Sequence, residues 1–164
     1  MKGLAIIGLV AGVVAASLRA ADRLQTPSPG HDELSRYAAA KAAPGHQVTL
    51  RDNSGRTVGT AVRTGNRIVF RDGTGRTAGC ATIEGRRTVF RDSAGRTLWT
   101  AAASGGRTTY RDATGRLLGT ASEAGQRTTF RNAAGRTTGV VQSSGGRATF
   151  RDATGRALSS GTWR

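Results

Sequence analysis

From Arg51 onward the chain repeats itself every twenty residues, and a period of that length leaves few folds open. An Arg-Asp pair recurs at Arg51-Asp52, Arg71-Asp72, Arg91-Asp92, Arg111-Asp112 and Arg151-Asp152, with Arg131-Asn132 as the one variant. Each is followed at fixed offset by Gly-Arg: Gly55-Arg56, Gly75-Arg76, Gly95-Arg96, Gly115-Arg116, Gly135-Arg136 and Gly155-Arg156. A second glycine (Gly65, Gly85, Gly105, Gly125, Gly145) precedes Arg67, Arg87, Arg107, Arg127 and Arg147 by two residues, and Phe70, Phe90, Tyr110, Phe130 or Phe150 follows. Such a unit is one supersecondary element that cannot bury its apolar side alone and leans on its neighbours.

Within a unit, Asp-x-x-Gly is a type I turn signal. The Asp side chain bonds the backbone two residues on, and Gly takes the left-handed position that closes the loop. This predicts a hairpin in which Asp112 opposes Arg116, Arg111 opposes Leu117, Tyr110 opposes Leu118 and Thr108 opposes Thr120. The second turn, "TGN", "SGG" or "EAGQ", returns the chain with Gly at positive φ. Alternation along the strands then places Tyr110, Leu118, Thr108 and Thr120 on an aromatic face. Arg107, Arg111, Thr109, Gly119 and Ala121 fall on an arginine face.

The expected fold class is therefore all-β: repeated antiparallel hairpins forming a curled meander or spiral sheet, at most a partly closed barrel, with an N-terminal helix. A parallel β-solenoid is the alternative, but it stacks equivalent arginines ~4.8 Å apart in ladders of like charge. In the meander they stand ~9.6 Å apart, close to the screening length in physiological salt. Aromatics make up 5% of the chain and there are 24 glycines, so a thin curled sheet suits it better than a layered globule.

Ahead of the array (46–164) the composition changes. Lys2 precedes sixteen uncharged residues, "GLAIIGLVAGVVAASL", and then Arg19. Residues 1–16 are expected to be a signal peptide, with Val14-Ala15-Ala16 suiting a signal peptidase, or a membrane anchor formed by residues 3–18. Either places the array outside the cytoplasm, secreted or periplasmic in the first case. Residues 17–45 form a linker that contains "TPSPG" and a short helix over 31–43, stopped by Pro44-Gly45. Cys80 is the single cysteine; it occupies the slot of Thr60, Thr100, Thr120 and Val140 and is expected to be a half-buried packing residue, with an intermolecular disulfide open to it if exposed.

At "YRDATGR" the chain resembles the YD-repeat units of rearrangement-hot-spot proteins and teneurins, whose unit runs Tyr-Asp-x-x-Gly-Arg and builds a spiralling β-sheet shell. The resemblance covers residues 46–164. Here Arg111 separates Tyr110 from Asp112, which puts those two on one face instead of opposite faces. The resemblance implies an extracytoplasmic β-repeat scaffold; it does not imply a toxin.

Net charge is +15, and from residue 46 onward 20 arginines face seven Asp and Glu, so the array holds 13 of those charges. Arginine presents a planar fork suited to phosphate or carboxylate. His31 and His46 are the only histidines and read as surface or capping residues. The array's aspartates read as turn chemistry, since hard-cation sites need six or more oxygens. No serine has a histidine partner and no Gly-rich loop opens a helix, so neither catalysis nor a cofactor is expected. Two function classes follow. One is a non-enzymatic exported scaffold or surface-interaction protein. The other is a polyanion-binding module that uses outward rows at Arg67, Arg71, Arg87, Arg91, Arg107, Arg111, Arg127, Arg131, Arg147 and Arg151. Its partners would be lipopolysaccharide, acidic polysaccharide, anionic lipid or nucleic acid. Self-association or contact with the envelope surface is the scaffold's option, and no small-molecule substrate is expected.

Overall fold

The computed structural model describes residues 45 and 47–163, the last of them by its backbone. Twelve strands follow one another: β1 (Gln47–Asp52), β2 (Thr57–Thr64), β3 (Arg67–Asp72), β4 (Thr77–Glu84), β5 (Arg87–Asp92), β6 (Thr97–Ser104), β7 (Arg107–Asp112), β8 (Leu117–Ala124), β9 (Arg127–Asn132), β10 (Thr137–Ser144), β11 (Arg147–Asp152) and β12 (Ala157–Trp163). Each pairs antiparallel with its chain neighbours. β1 also pairs with β12, Val48 opposite Trp163 and Asp52 opposite Ser159, so the sheet closes into a barrel.

Both turns form as their residues dictate. In every Asp turn the Gly amide donates to the Asp carbonyl, as from Gly115 to Asp112 at 3.0 Å, and Gly115 sits at φ 89°. The other turns are two-residue loops; Gly105 and Gly106, at φ 55° and 75°, make the mirror-image turn whose twist matches the strands.

The expected register holds only as far as Arg111, which opposes Leu117. Tyr110 then opposes Gly119, because Leu118 is an inserted residue, a β-bulge. The same bulge recurs in all six Asp-turn hairpins. One extra residue reverses every side chain beyond it. Gly119 and Ala121 therefore share the aromatic face, while Leu118 stands 38% exposed and Thr120 joins the arginine face.

The bulges also account for the larger correction. The sheet is neither an open or spiral meander nor a parallel solenoid; it is a closed, antiparallel, up-and-down barrel. A bulge bends its strand and raises local twist, and six of them, one per unit, supply curvature that turn and strand propensities do not express. No helix occurs among the described residues, and the helix expected over 31–43 lies outside them, as do residues 1–16 and the linker up to Pro44.

Inside, Val48, Leu50, Ile68, Phe70, Phe90, Trp99, Tyr110, Phe130, Val141 and Phe150 belong to one continuous core. Phe70, Tyr110 and Phe130 each lie directly opposite a glycine, Gly79, Gly119 and Gly139. These glycines are needed for closeness: a Cβ on Gly79 would stand 2.5 Å from the carbonyl oxygen of Arg91. In the third unit Trp99 takes that slot and stacks on Phe90 with ring centroids 3.5 Å apart.

Candidate functional site

Because the aromatics of the odd strands point inward, the residues flanking them point outward. Arg67, Arg71, Arg87, Arg91, Arg107, Arg111, Arg127, Arg131, Arg147 and Arg151 are accordingly all exposed. Strands β3, β5, β7, β9 and β11 each turn outward an Arg, a Val or Thr, and a second Arg; the arginines are exposed, Val69 and the threonines half-buried, and Val89 buried. Those two arginines are four residues, roughly 13 Å, apart, and like strands repeat about 9.6 Å apart around the wall. The result is two arginine girdles separated by a belt of Val69, Val89, Thr109, Thr129 and Thr149. This polarity, charged outside and apolar inside, is the reverse of a lipid-facing barrel.

The two girdles differ in what holds them. The first, Arg71, Arg91, Arg111, Arg131 and Arg151, lies beside the Asp turns, and Arg51 continues it on β1. Each donates from Nη1 to the carbonyl of the turn glycine four residues on: Arg71 to Gly75 at 3.0 Å, Arg111 to Gly115 at 2.8 Å, Arg131 to Gly135 at 3.0 Å and Arg151 to Gly155 at 3.0 Å. Arg91 reaches Gly95 at 3.3 Å and the Thr97 hydroxyl at 2.9 Å. These side chains brace the loops in which they stand.

Arg67, Arg87, Arg107, Arg127 and Arg147 open β3, β5, β7, β9 and β11 at the other rim. Each is exposed, and among the described residues no side chain of this row has a hydrogen bond or ion pair. Their cross-strand neighbours are almost all neutral: Thr64 and Thr82 beside Arg67, Ser104 and Ser122 beside Arg107, Ala124 and Gln142 beside Arg127, Ser144 and Thr162 beside Arg147. Glu84, opposite Arg87, is the one acid directly across from this girdle.

The aspartates serve the turns. Asp112 Oδ1 accepts from the Thr114 amide, the Thr114 hydroxyl and the Arg116 amide at 2.9, 2.6 and 2.9 Å. The Thr114 hydroxyl, ahead of the amides, holds the Asp112 carboxyl below its ordinary range, against partial desolvation; Asp72 and Asp152 are lowered alike by Thr74 and Thr154. In Asp92 the Arg96 amide leads, then the Arg96 guanidinium, whose Nε lies 2.7 Å from Oδ2. A carboxyl with a folded pKa below its unfolded one contributes stability that is present above the unfolded value, about 3.9, and lost as pH falls through the folded value. The melting temperature is therefore expected to hold above about pH 5 and to fall as pH drops below about 4. Asn in place of Asp72, Asp92, Asp112 and Asp152 should flatten that acid limb, as Asn132 already does in its own unit. A limb of equal steepness in the variant would show that the turns do not cause it.

All ten arginines of the expected rows thus reach one outer wall, where they fall into two unlike rows. The spacing Arg-x-x-x-Gly, which recurs at Arg71 and Gly75, carried the signal that one row is tied down. Exposed turn arginines such as Arg76, Arg116, Arg136 and Arg156 add charge that the strand pattern left out. Cys80 is half-buried on the outer face, between Val69 and Arg91. Both histidines lie outside the described residues.

No protein-family model matches this sequence, and no curated protein is significantly similar to it. A protein of Arabidopsis thaliana solved by X-ray crystallography is similar in structure, with a TM-score of 0.52 over 76% of this chain and 84% of its own, at 13% identity. At that identity the likeness concerns the fold alone.

Proposed function

We propose that this is a non-enzymatic, exported surface-interaction protein: a rigid barrel that displays arginines to a polyanion. The observation that supports this most is the girdle of five exposed guanidinium groups, Arg67, Arg87, Arg107, Arg127 and Arg147, with no partner among the described residues. The purely structural reading needs no such row. The lumen holds one continuous apolar core, which supports reading the outer wall as the side a partner would meet. Export belongs to the same reading, through the apolar residues 3–18, and predicts a mature chain lacking about its first sixteen residues.

The test replaces Arg107, Arg111, Arg127 and Arg131 by Gln and titrates parent and variant against heparin in increasing salt. Folding should survive, since an exposed charge contributes about 0 to 1 kcal/mol. Affinity should drop, and the dependence of log affinity on log salt should become shallower. A parent that does not bind heparin at physiological salt would leave the structural reading standing and remove this one.

A further inference from the structure

Resting on the polyanion reading, we infer that the unbraced girdle, Arg67, Arg87, Arg107, Arg127 and Arg147, is the binding element, and that its partner is a flexible acidic polysaccharide which wraps the barrel. Three observations converge on this. The first is curvature. The five arginines stand on alternate strands from β3 to β11, eight strand steps around a closed wall. That is about 38 Å of perimeter at the usual strand spacing. They point radially, so a flat surface or a stiff rod laid tangent to the wall meets two or three of them at once. A DNA duplex, with a persistence length of about 50 nm, cannot follow such a curve. A flexible chain can touch all five.

The second observation separates flexible polymers from one another. Single-stranded nucleic acid is held by aromatic side chains on which bases stack as well as by charge. Here Phe70, Phe90, Trp99, Tyr110, Phe130 and Phe150 are all buried in the lumen. The belt beside the girdle instead offers the side chains of Thr109, Thr129 and Thr149 on one side of the bulge-free strand centres, half-buried and outward. Hydroxyl groups next to guanidinium forks match carboxylates or sulfates spaced along a hydroxyl-rich sugar chain.

The third is freedom. The row formed by Arg71, Arg91, Arg111, Arg131 and Arg151 is bonded to its own turn carbonyls. A ligand recruiting those groups must displace a bond already made, whereas the other row has none among the described residues to give up.

The measurement is binding of labelled heparin oligosaccharides of graded length to the parent protein. Affinity should rise with length and level off only at a contour longer than about 38 Å, the span of the girdle at the wall, because the guanidinium tips stand further out. Five anion contacts give a slope near −3.5 in log affinity against log salt, about a 100-fold loss between 50 and 200 mM. Gln at Arg67, Arg87, Arg107, Arg127 and Arg147 should remove most of that slope. Gln at Arg71, Arg91, Arg111, Arg131 and Arg151 should keep at least half of it, with folding of each variant checked by its melting curve. Oligothymidylate, a DNA duplex and phosphatidylglycerol vesicles should bind less tightly at matched charge. If one of those three binds tighter, or the length series levels off by half the span, the wrapped polysaccharide is wrong while the polyanion reading survives. If nothing binds in a salt-dependent way, both fall. The length series uses the unaltered chain and decides even if a variant fails to fold.

Discussion

Alanine at both Tyr110 and Phe130 is expected to abolish the cooperative thermal transition. Each ring is buried in the lumen and packed edge-on to another: Tyr110 against Trp99 with centroids 5.9 Å apart, and Phe130 against Phe150 at 6.2 Å. Truncating one buried aromatic costs about 3 to 5 kcal/mol, from lost burial and from the cavity that a stiff surround cannot close. A domain's entire stability is about 5 to 15 kcal/mol, so two such losses, about 6 to 10 kcal/mol together, are of the same size as the whole. The bare glycines Gly119 and Gly139 opposite these rings add to the damage, since nothing from the facing strand can fill the space. Leu118→Ala, on the exposed side of the bulge, is the control and should melt like the parent. A double variant that melts within a few degrees of the parent would mean that the lumen does not hold the barrel together.

Removing residues 157–164, and with them β12, should be as damaging by a different route. Eleven of the barrel's joints connect strands that a turn already holds side by side. The joint between β1 and β12 has no such tether and relies on backbone pairing from Val48 to Asp52. Without β12 the first and eleventh strands become free edges, and the core around Phe150 and Val48 opens to water. Free edges with apolar flanks pair with other chains. The expected product binds a hydrophobic dye, lacks a sharp transition and elutes as oligomers in size-exclusion chromatography. A monomer with the parent's melting curve would show that closure is not needed.

What could be read from the residues alone was local. Asp112, Gly115 and Gly105 state their turns because a left-handed φ and a side-chain bond to the backbone are properties of a few adjacent residues. The arginine rows followed from alternation and do lie on one exposed wall. The bulge at Leu118 had no such marker, since an inserted Leu, Val, Ala or Thr is also an ordinary strand residue. Missing it inverted Gly119, Ala121 and Thr120. Closure was further from reach: it depends on bend and twist added over six hairpins, and on Val48 meeting Trp163 more than a hundred residues away. The two classes of arginine differ only in whether a carbonyl lies within reach, which is decided by turn geometry.

The Trp99 slot carries a consequence for how many units such a chain can have. A barrel's diameter grows roughly in proportion to its strand number, so its cross-section grows as the square, while the inward side chains that must fill it grow only linearly. Eight strands are about what ordinary side chains fill, and this barrel has twelve. It meets the shortfall with a ring from five of its six units and with one more, Trp99, where four other units have glycine. Duplicating a twenty-residue unit, the easiest genetic event for such an array, would add two strands and enlarge the lumen faster than the duplicate could fill it. A family of these arrays would then vary freely in its surface arginines but not in its copy number, unless each added copy brought its own tryptophan.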